Sequence, residues 1–162
     1  MSSKSIKVFA PATVANVVCG FDILGFAVNQ PGDELVMKIT DKPGVVIDNI
    51  IGDEGKLTRD PLKNTVSACV ISLLKHLGRN DIGFSISLEK KMPLGSGLGS
   101  SAASAVAGLF AANELLGKPL TRMQLLPFAM EGEALACGHG HADNVAPSLL
   151  GGFTLIKSYE PL

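Results

Sequence analysis

The chain has 162 residues, which is enough for one hydrophobic core and short for two. A hydrophobic content of 46% with a charged content of 18% is typical of a globular protein and excludes a disordered one. With 14 basic and 15 acidic residues the net charge is −1, so no overall field favours nucleic acid or an anionic membrane. No apolar run reaches the roughly 20 residues of a membrane span, and the start lacks the apolar core of a signal peptide. We therefore expect one cytoplasmic domain that binds its ligands locally.

The first third of the chain is predicted to form strands. Hydrophobic alternation between turn residues predicts them over 6–10, 23–29, 34–40 and 45–51, with a turn at 31–33. The fourth strand is expected to pair next to the third.

A helix is predicted next, with Asp60 as its N-cap, Pro61 in its first turn and its end at Gly78. Residues 84–88 alternate as in a half-buried strand. A second helix follows over 100–116.

The capping-box residues Thr121 and Gln124 open a third predicted helix, which ends near Gly138. A final strand is predicted over 153–156. Strands first, then strands and helices interleaved, indicate an α+β domain with helices on one face of a mixed or antiparallel sheet. The three cysteines are widely spaced without C-x-x-C pairing, so we interpret them as reduced, small hydrophobic residues: Cys19, Cys69 and Cys137.

A glycine and serine loop stands between the strand at 84–88 and the second helix. Residues 93–103 read P-L-G-S-G-L-G-S-S-A-A. Its glycines let backbone N–H groups turn inward, and the first N–H groups of the helix lack intrahelical partners, so the loop can bind an anion such as phosphate. It is not a Walker A sequence, because it has no lysine. The alternative is a turn whose small residues only permit close packing.

Two polar side chains, Asn16 and Asp22, lie between the first two predicted strands. A loop there can aim both at one small polar molecule, and an ammonium or hydroxyl group would suit Asp22. The alternative is a turn in which both side chains cap backbone groups.

Polar residues also follow the third helix. Glu133 is a hard oxygen ligand that could bind Mg²⁺ beside a bound triphosphate. A competing metal hypothesis takes His139 and His141 as a zinc or nickel pair, but a third ligand at tight spacing is missing. The alternatives are a solvated turn at 143–144 and a solvated helix face at Glu133.

Together these three segments resemble the GHMP kinases, the superfamily of galactokinase, homoserine kinase, mevalonate kinase and phosphomevalonate kinase. The glycine loop is similar to their phosphate loop. Residues 11–25, P-A-T-V-A-N-V-V-C-G-F-D-I-L-G, and 141–152, H-A-D-N-V-A-P-S-L-L-G-G, are most similar to the homoserine kinase branch. The chain departs from that branch at 17–19, where the family usually has Leu-Gly-Pro. Either the loop path differs there, or the position does not need the backbone freedom of glycine.

The resemblance implies roles for particular residues. Asn16, Asp22, His141 and Asn144 would bind the amino-acid substrate, while Ser100 and Glu133 would bind Mg²⁺. Asn144 stands where relatives such as mevalonate kinase have a basic aspartate, so the substrate hydroxyl would attack the γ-phosphate directly. The residues implied to bind the ATP phosphates are Pro93, Leu94, Gly95, Ser96, Gly97, Leu98, Gly99, Ser100, Ser101, Ala102, Ala103 and Ser104.

The implied fold is a ribosomal protein S5 domain 2-like domain over residues 1–162, normally followed by a ferredoxin-like half that this sequence does not contain. We expect most of the nucleotide site, part of the acceptor site, and exposed apolar surface that favours either self-association as a homodimer or marginal stability. The implied reaction is ATP-dependent phosphorylation of L-homoserine to O-phospho-L-homoserine, a step of threonine biosynthesis. The alternatives are another GHMP small-molecule kinase or a non-catalytic nucleotide-binding module.

Overall fold

The computed structural model describes residues 4–138 and 140–159. These residues form a mixed sheet and helices, as the sequence predicts. In chain order the elements are β1 (Ser5–Val17), β2 (Gly20–Thr40), β3 (Gly44–Ile51), α1 (Thr65–His76), β4 (Gly83–Glu89), α2 (Ser100–Leu115), α3 (Arg122–Cys137), α4 (Ala142–Leu150) and β5 (Phe153–Leu155).

The strands form one sheet in the order β1-β2-β4-β3, and β5 pairs with β2. The β1/β2, β2/β4 and β2/β5 pairs are antiparallel, whereas β3 and β4 are parallel. Apolar side chains of alternate residues, such as Leu35, Met37 and Ile86, are buried, while Val36 and Ser85 between them are not. The helices therefore cover one face of the sheet.

The predicted turn at 31–33 is wrong. Strand β2 continues through it, with Gly32 paired to Pro11 and Asp33 paired to Ala10. A Cβ at Gly32 would lie 2.5 Å from the carbonyl oxygen of Ala10. The glycine therefore allows a close approach of two strands, where the sequence pattern indicated a reversal of the chain.

The predicted N-cap of α1 is also wrong. Asn64 caps the helix, because its Oδ1 accepts a hydrogen bond from the Val66 N–H at 3.1 Å. The Asp60 carboxylate instead accepts from the Leu62 N–H in a turn that precedes the helix. Both residues carry a capping signal, and the chain uses the one nearer the apolar periodicity.

Helix α4 was not predicted, because Pro147 lies inside it and its first turn is polar. Proline has no N–H, so the carbonyl of Asp143 receives no hydrogen bond from residue 147. That carbonyl packs against Gly25 of β2, where a Cβ would lie only 1.8 Å from it. The free carbonyl and the glycine together let α4 lie directly on the sheet. The solvated turn considered for 143–144 is therefore wrong.

The cysteines differ in environment. Cys69 is buried in the core, as expected of a small hydrophobic residue, but Cys19 is exposed. The Cys137 side chain and His139 lie outside the described part of the chain. Within that part, no helix combines the length and apolar character required to cross a bilayer.

The hairpin between β1 and β2 contains a strained residue. Val18, which stands where the resemblance places a glycine, has φ 50° and is 93% exposed. The left-handed conformation is thus adopted here by a β-branched residue, for which it is unfavourable. Position 18 therefore has a backbone conformation that glycine adopts easily and valine does not.

Replacing Val18 by glycine should stabilise the protein by about 1 kcal/mol, because it relieves the left-handed strain and removes no buried surface. The change in the free energy of unfolding can be measured by urea denaturation. Val17→Gly, in the strand next to it, is the matched control and should destabilise the protein. A Val18→Gly variant less stable than the wild type would show that the left-handed conformation of Val18 is not a source of strain.

Candidate functional site

The glycine loop has the conformation that the sequence predicts. Gly95, Gly97 and Gly99 have φ values of 73°, 72° and 67°. Gly99 is the N-cap of α2, and no side chain caps the helix there. The N–H groups of the first turn of α2 therefore have no side-chain cap and can bind an anion.

The loop forms one wall of an open cavity of about 740 Å³. This volume is in the range of sites for small molecules and cofactors. The opposite wall consists of residues 56–58 and 63–65, in the segment that joins β3 to α1. This wall was not predicted from the sequence, because nothing in the local pattern of the segment indicates that it lies next to the glycine loop. Two lysines, Lys56 and Lys63, lie on it.

The cavity gathers several of the residues that the resemblance implied. Asn16, Glu133 and Asn144 line it together with residues 94–101 and Ser104. By contrast, Pro93, Ala102, Ala103, Asp22 and His141 do not. Ala102 and Ala103 are fully buried, so only their backbone could contribute to ligand binding.

Asp22 and His141 form a pair of their own. The Nδ1 atom of His141 lies 3.6 Å from a carboxylate oxygen of Asp22, and both side chains are partly exposed. Asn16 joins this pair to the cavity, because its Oδ1 accepts a hydrogen bond from the Asp22 N–H at 2.9 Å. The local capping considered for Asn16 is therefore present, and the same residue lines the cavity.

Thr13 connects the glycine loop to α4, a role that was not predicted from the sequence. Its Oγ1 donates to Asn144 Oδ1 at 2.8 Å, and its N–H donates to the carbonyl of Leu98 at 3.0 Å. The bond to Asn144 leaves the amide nitrogen as the group that can donate to a ligand. Thr13 therefore fixes both the end of the loop and the orientation of the Asn144 amide.

Tyr159 connects the β1/β2 hairpin to the start of α4. Its hydroxyl donates to the carbonyl of Asp22 at 3.1 Å and accepts from the Ala142 N–H at 3.4 Å. Burial raises the pKa of this phenol above its usual value. The two segments implied to bind the amino-acid substrate are thus joined through one hydroxyl group.

Ser100 and Glu133, the implied Mg²⁺ ligands, line the same cavity. The Ser100 hydroxyl donates a hydrogen bond to Asp33 Oδ2 at 2.8 Å, which leaves the lone pairs of its oxygen for a cation. One hydroxyl and one carboxylate fit a magnesium ion that takes its other ligands from phosphate and water. Among the described residues, no three His, Cys, Asp or Glu residues are placed to bind a metal. The pair proposed with His139 includes a residue outside the described ranges.

Asp143 lies beside this site in the first turn of α4 and is only 2% exposed. Burial raises the pKa of its carboxyl above the usual value, and the nearby Asp22 carboxylate raises it further, while His141 opposes the shift. The carboxylate is therefore held in an environment that favours its protonated form.

Gly99→Ala should destabilise the protein more than Gly97→Ala. Both glycines have positive φ, so alanine costs about 1 to 2 kcal/mol of backbone strain at either position. Only at Gly99 would the added Cβ also lie 2.1 Å from Thr13 Oγ1, whereas nothing lies within 4 Å at Gly97. Thermal unfolding of the two variants makes the comparison. Equal losses would contradict the contact with Thr13.

Asp143→Asn should change how stability depends on pH. The folded-state pKa is raised above 3.8, so between that value and the folded-state pKa the folded wild type binds more protons than the unfolded chain. The wild type therefore loses stability as pH rises through this window, and the asparagine variant does not. The difference in melting temperature, variant minus wild type, should grow in favour of the variant between about pH 4 and pH 8. A constant difference would refute the raised pKa.

Comparison with known proteins shows which family this chain is similar to. The family model for the GHMP kinases N terminal domain matches residues 64–152. Homoserine kinase from Chloroherpeton thalassium is 55% identical over 98% of this chain, which covers 53% of that protein. Homoserine kinase from Chlorobium phaeovibrioides is 54% identical over the same share of the chain. The chain spans about half the length of the curated relatives it matches.

Solved structures agree with the fold. The crystal structure of homoserine kinase from Cytophaga hutchinsonii superposes with a TM-score of 0.95 at 62% identity, covering all of this chain and 51% of that one. The mevalonate kinase of Methanococcus jannaschii, at 19% identity, superposes with a TM-score of 0.73 over 94% of this chain and 53% of its own, and so shares the fold. The family model covers more than half of the sequence, including the glycine loop and α4. This chain belongs to the GHMP kinase family, whose N-terminal domain it contains.

Proposed function

We propose that the protein containing this chain transfers the γ-phosphoryl group of ATP to the hydroxyl of L-homoserine in the cytoplasm. The observation that carries the proposal is the cavity that brings the glycine loop together with Asn16, Glu133 and Asn144. High identity to proteins named homoserine kinase supports the choice of acceptor. Because the chain spans about half of those relatives, the proposal concerns the whole protein.

ATP is proposed to lie along the cavity. Its phosphates would accept hydrogen bonds from the loop N–H groups at the start of α2, where the helix dipole also favours negative charge. The nucleoside would then extend toward the wall formed by residues 56–58 and 63–65. The cavity volume of about 740 Å³ is large enough for such a ligand.

Ser100 and Glu133 would bind Mg²⁺ at the phosphate end of the cavity. The ion would neutralise charge on the phosphate oxygens. The Asp33 carboxylate accepts a hydrogen bond from the Ser100 hydroxyl and so orients the lone pairs of that oxygen for binding a cation.

The acceptor is proposed to bind between the hairpin and α4. The Asp22 carboxylate suits an ammonium group, and Asn144 presents its amide nitrogen to the hydroxyl or to the transferred group. The hydroxyl oxygen bonds to the γ-phosphorus as the bond to the bridging oxygen of ADP breaks, and the hydroxyl proton passes to an oxygen of the transferred phosphoryl group. Because an amide cannot accept the hydroxyl proton as a base, positioning and charge neutralisation supply most of the rate.

A second, ferredoxin-like domain and a homodimer remain predictions. Large apolar side chains are exposed on the hairpin and on the adjoining strands, notably Phe21, Ile23, Phe153 and Leu155. Such a surface is suited to an interface.

The test is a coupled assay of ADP release by the full-length protein with homoserine, mevalonate and galactose as acceptors. We expect strong preference for homoserine. Preference for another acceptor would favour a different GHMP kinase, and ATP binding without turnover would favour a nucleotide-binding module.

In the same assay, Glu133→Gln should raise the Mg²⁺ concentration needed for half activity by about tenfold or more. Glu131→Gln, on the same helix but outside the cavity, is the control and should leave it unchanged.

A further inference from the structure

A buried ion pair lies next to the glycine loop. Lys90 Nζ is 2.5 Å from Asp33 Oδ2, and the two side chains are 2% and 0% exposed. Neither residue is among those that the sequence pattern implied for the site. Asp33 belongs to β2, whereas Lys90 follows the last residue of β4.

The Asp33 carboxylate holds both ends of the loop at once. Before the loop, its Oδ1 accepts hydrogen bonds from the N–H groups of Lys91 at 2.9 Å and Met92 at 3.2 Å. After the loop, its Oδ2 accepts from the Ser100 hydroxyl at 2.8 Å. The residues on either side of the loop 93–99 are therefore hydrogen-bonded to the same side chain, that of Asp33.

Lys90 adds further hydrogen bonds to this arrangement. Besides Asp33, its ammonium donates to the Ser100 carbonyl at 2.8 Å and to Ser104 Oγ at 2.7 Å. Its three protons thus meet three acceptors, two of them in the first turns of α2. Burial lowers the pKa of Lys90, and the charge of Asp33 opposes that shift.

The loop itself has few restraints of its own. A Cβ at Gly95 or at Gly97 would meet nothing within 4 Å, so neither position is packed. Within the loop, one backbone hydrogen bond joins the Ser96 N–H to the Pro93 carbonyl at 3.3 Å. The Thr13 N–H also donates to the Leu98 carbonyl near the end of the loop, so the direction of the loop N–H groups depends on how its ends are held, by Thr13 as well as by Asp33.

An ion pair buried this completely adds little net stability, because the cost of removing both charges from water offsets their attraction. Its effect is geometric. Charge-assisted hydrogen bonds are short and directional, and here they converge on the backbone at 91–92 and on the start of α2.

We propose that Asp33 and Lys90 are positioning residues for phosphoryl transfer, which hold both ends of the glycine loop so that its N–H groups point at the ATP phosphates. The inference rests on the proposed function, because it requires that the loop binds those phosphates. Lys90 lines the cavity, but its ammonium is held by Asp33, the Ser100 carbonyl and Ser104. The pair therefore acts through Ser100 and the loop backbone.

The central test uses the double variant Asp33→Leu/Lys90→Met in the full-length protein. It leaves no buried charge, but it removes the acceptor of the Lys91 and Met92 N–H groups, so its melting temperature should fall less than that of Asp33→Asn, which leaves the Lys90 charge unpaired. The KM for ATP should nevertheless rise by about 100-fold, because a displacement of about 1 Å at a site can have that effect. The KM for homoserine should change little. Asp33→Asn should show the same rise in the KM for ATP with a lowered melting temperature.

The matched control is Glu34→Gln, next to Asp33 on the same strand, where the carboxylate pairs with Lys7 and Lys91. It should leave the KM for ATP unchanged. Amide hydrogen exchange without nucleotide should be faster in the double variant at residues 94–100 and unchanged in the core strands. A double variant that keeps the wild-type KM for ATP and wild-type exchange in the loop would overturn the inference while the proposed function stands. A wild-type protein that does not bind ATP would refute both.

Discussion

The structure depends on the close packing of α2 at its centre. Eleven residues of this helix are buried, and most of them are alanine, glycine or serine. Side chains this small let α2 contact α1, α3, α4 and the strands β1 and β2 at once. A helix with large side chains would hold its neighbours apart. The body of α2 is enclosed, and its N-terminal end lines the cavity.

This position explains why the glycine loop and the cavity occur together. The loop connects an enclosed strand, β4, to an enclosed helix, so its path is short and its ends are fixed. Small residues serve two purposes here. In the loop they allow left-handed backbone, and in α2 they allow close contact, so the packing alternative considered from the sequence describes the helix.

Features with a local cause were predictable from the sequence. The capping box at Thr121 and the left-handed glycines of the loop each depend on neighbouring residues. Asp33 was not recognisable, because its partner Lys90 is 57 positions away and the local sequence around it resembles a turn. Helix α4 was missed because Pro147 contradicts a helix locally, and only the contact with Gly25 shows why it is tolerated.

The chain shares its fold with a mevalonate kinase at 19% identity, so under the proposed function the scaffold itself does not select the acceptor. Under the proposed function, that choice belongs to side chains such as Asp22, His141 and Asn144, which the fold presents without dictating their identity. They lie on two segments more than a hundred positions apart in the sequence.

The contact between Gly25 and the carbonyl of Asp143 bears on how those two segments move. A carbonyl held within its own helix could shift with that helix alone. This one rests on β2, three residues from Asp22, and its own residue precedes Asn144. A tilt of α4 toward β2 is therefore blocked by the strand that carries Asp22. Because Pro147 removes a helical hydrogen bond, the Asp143 carbonyl can make this contact between the two halves of the proposed acceptor site.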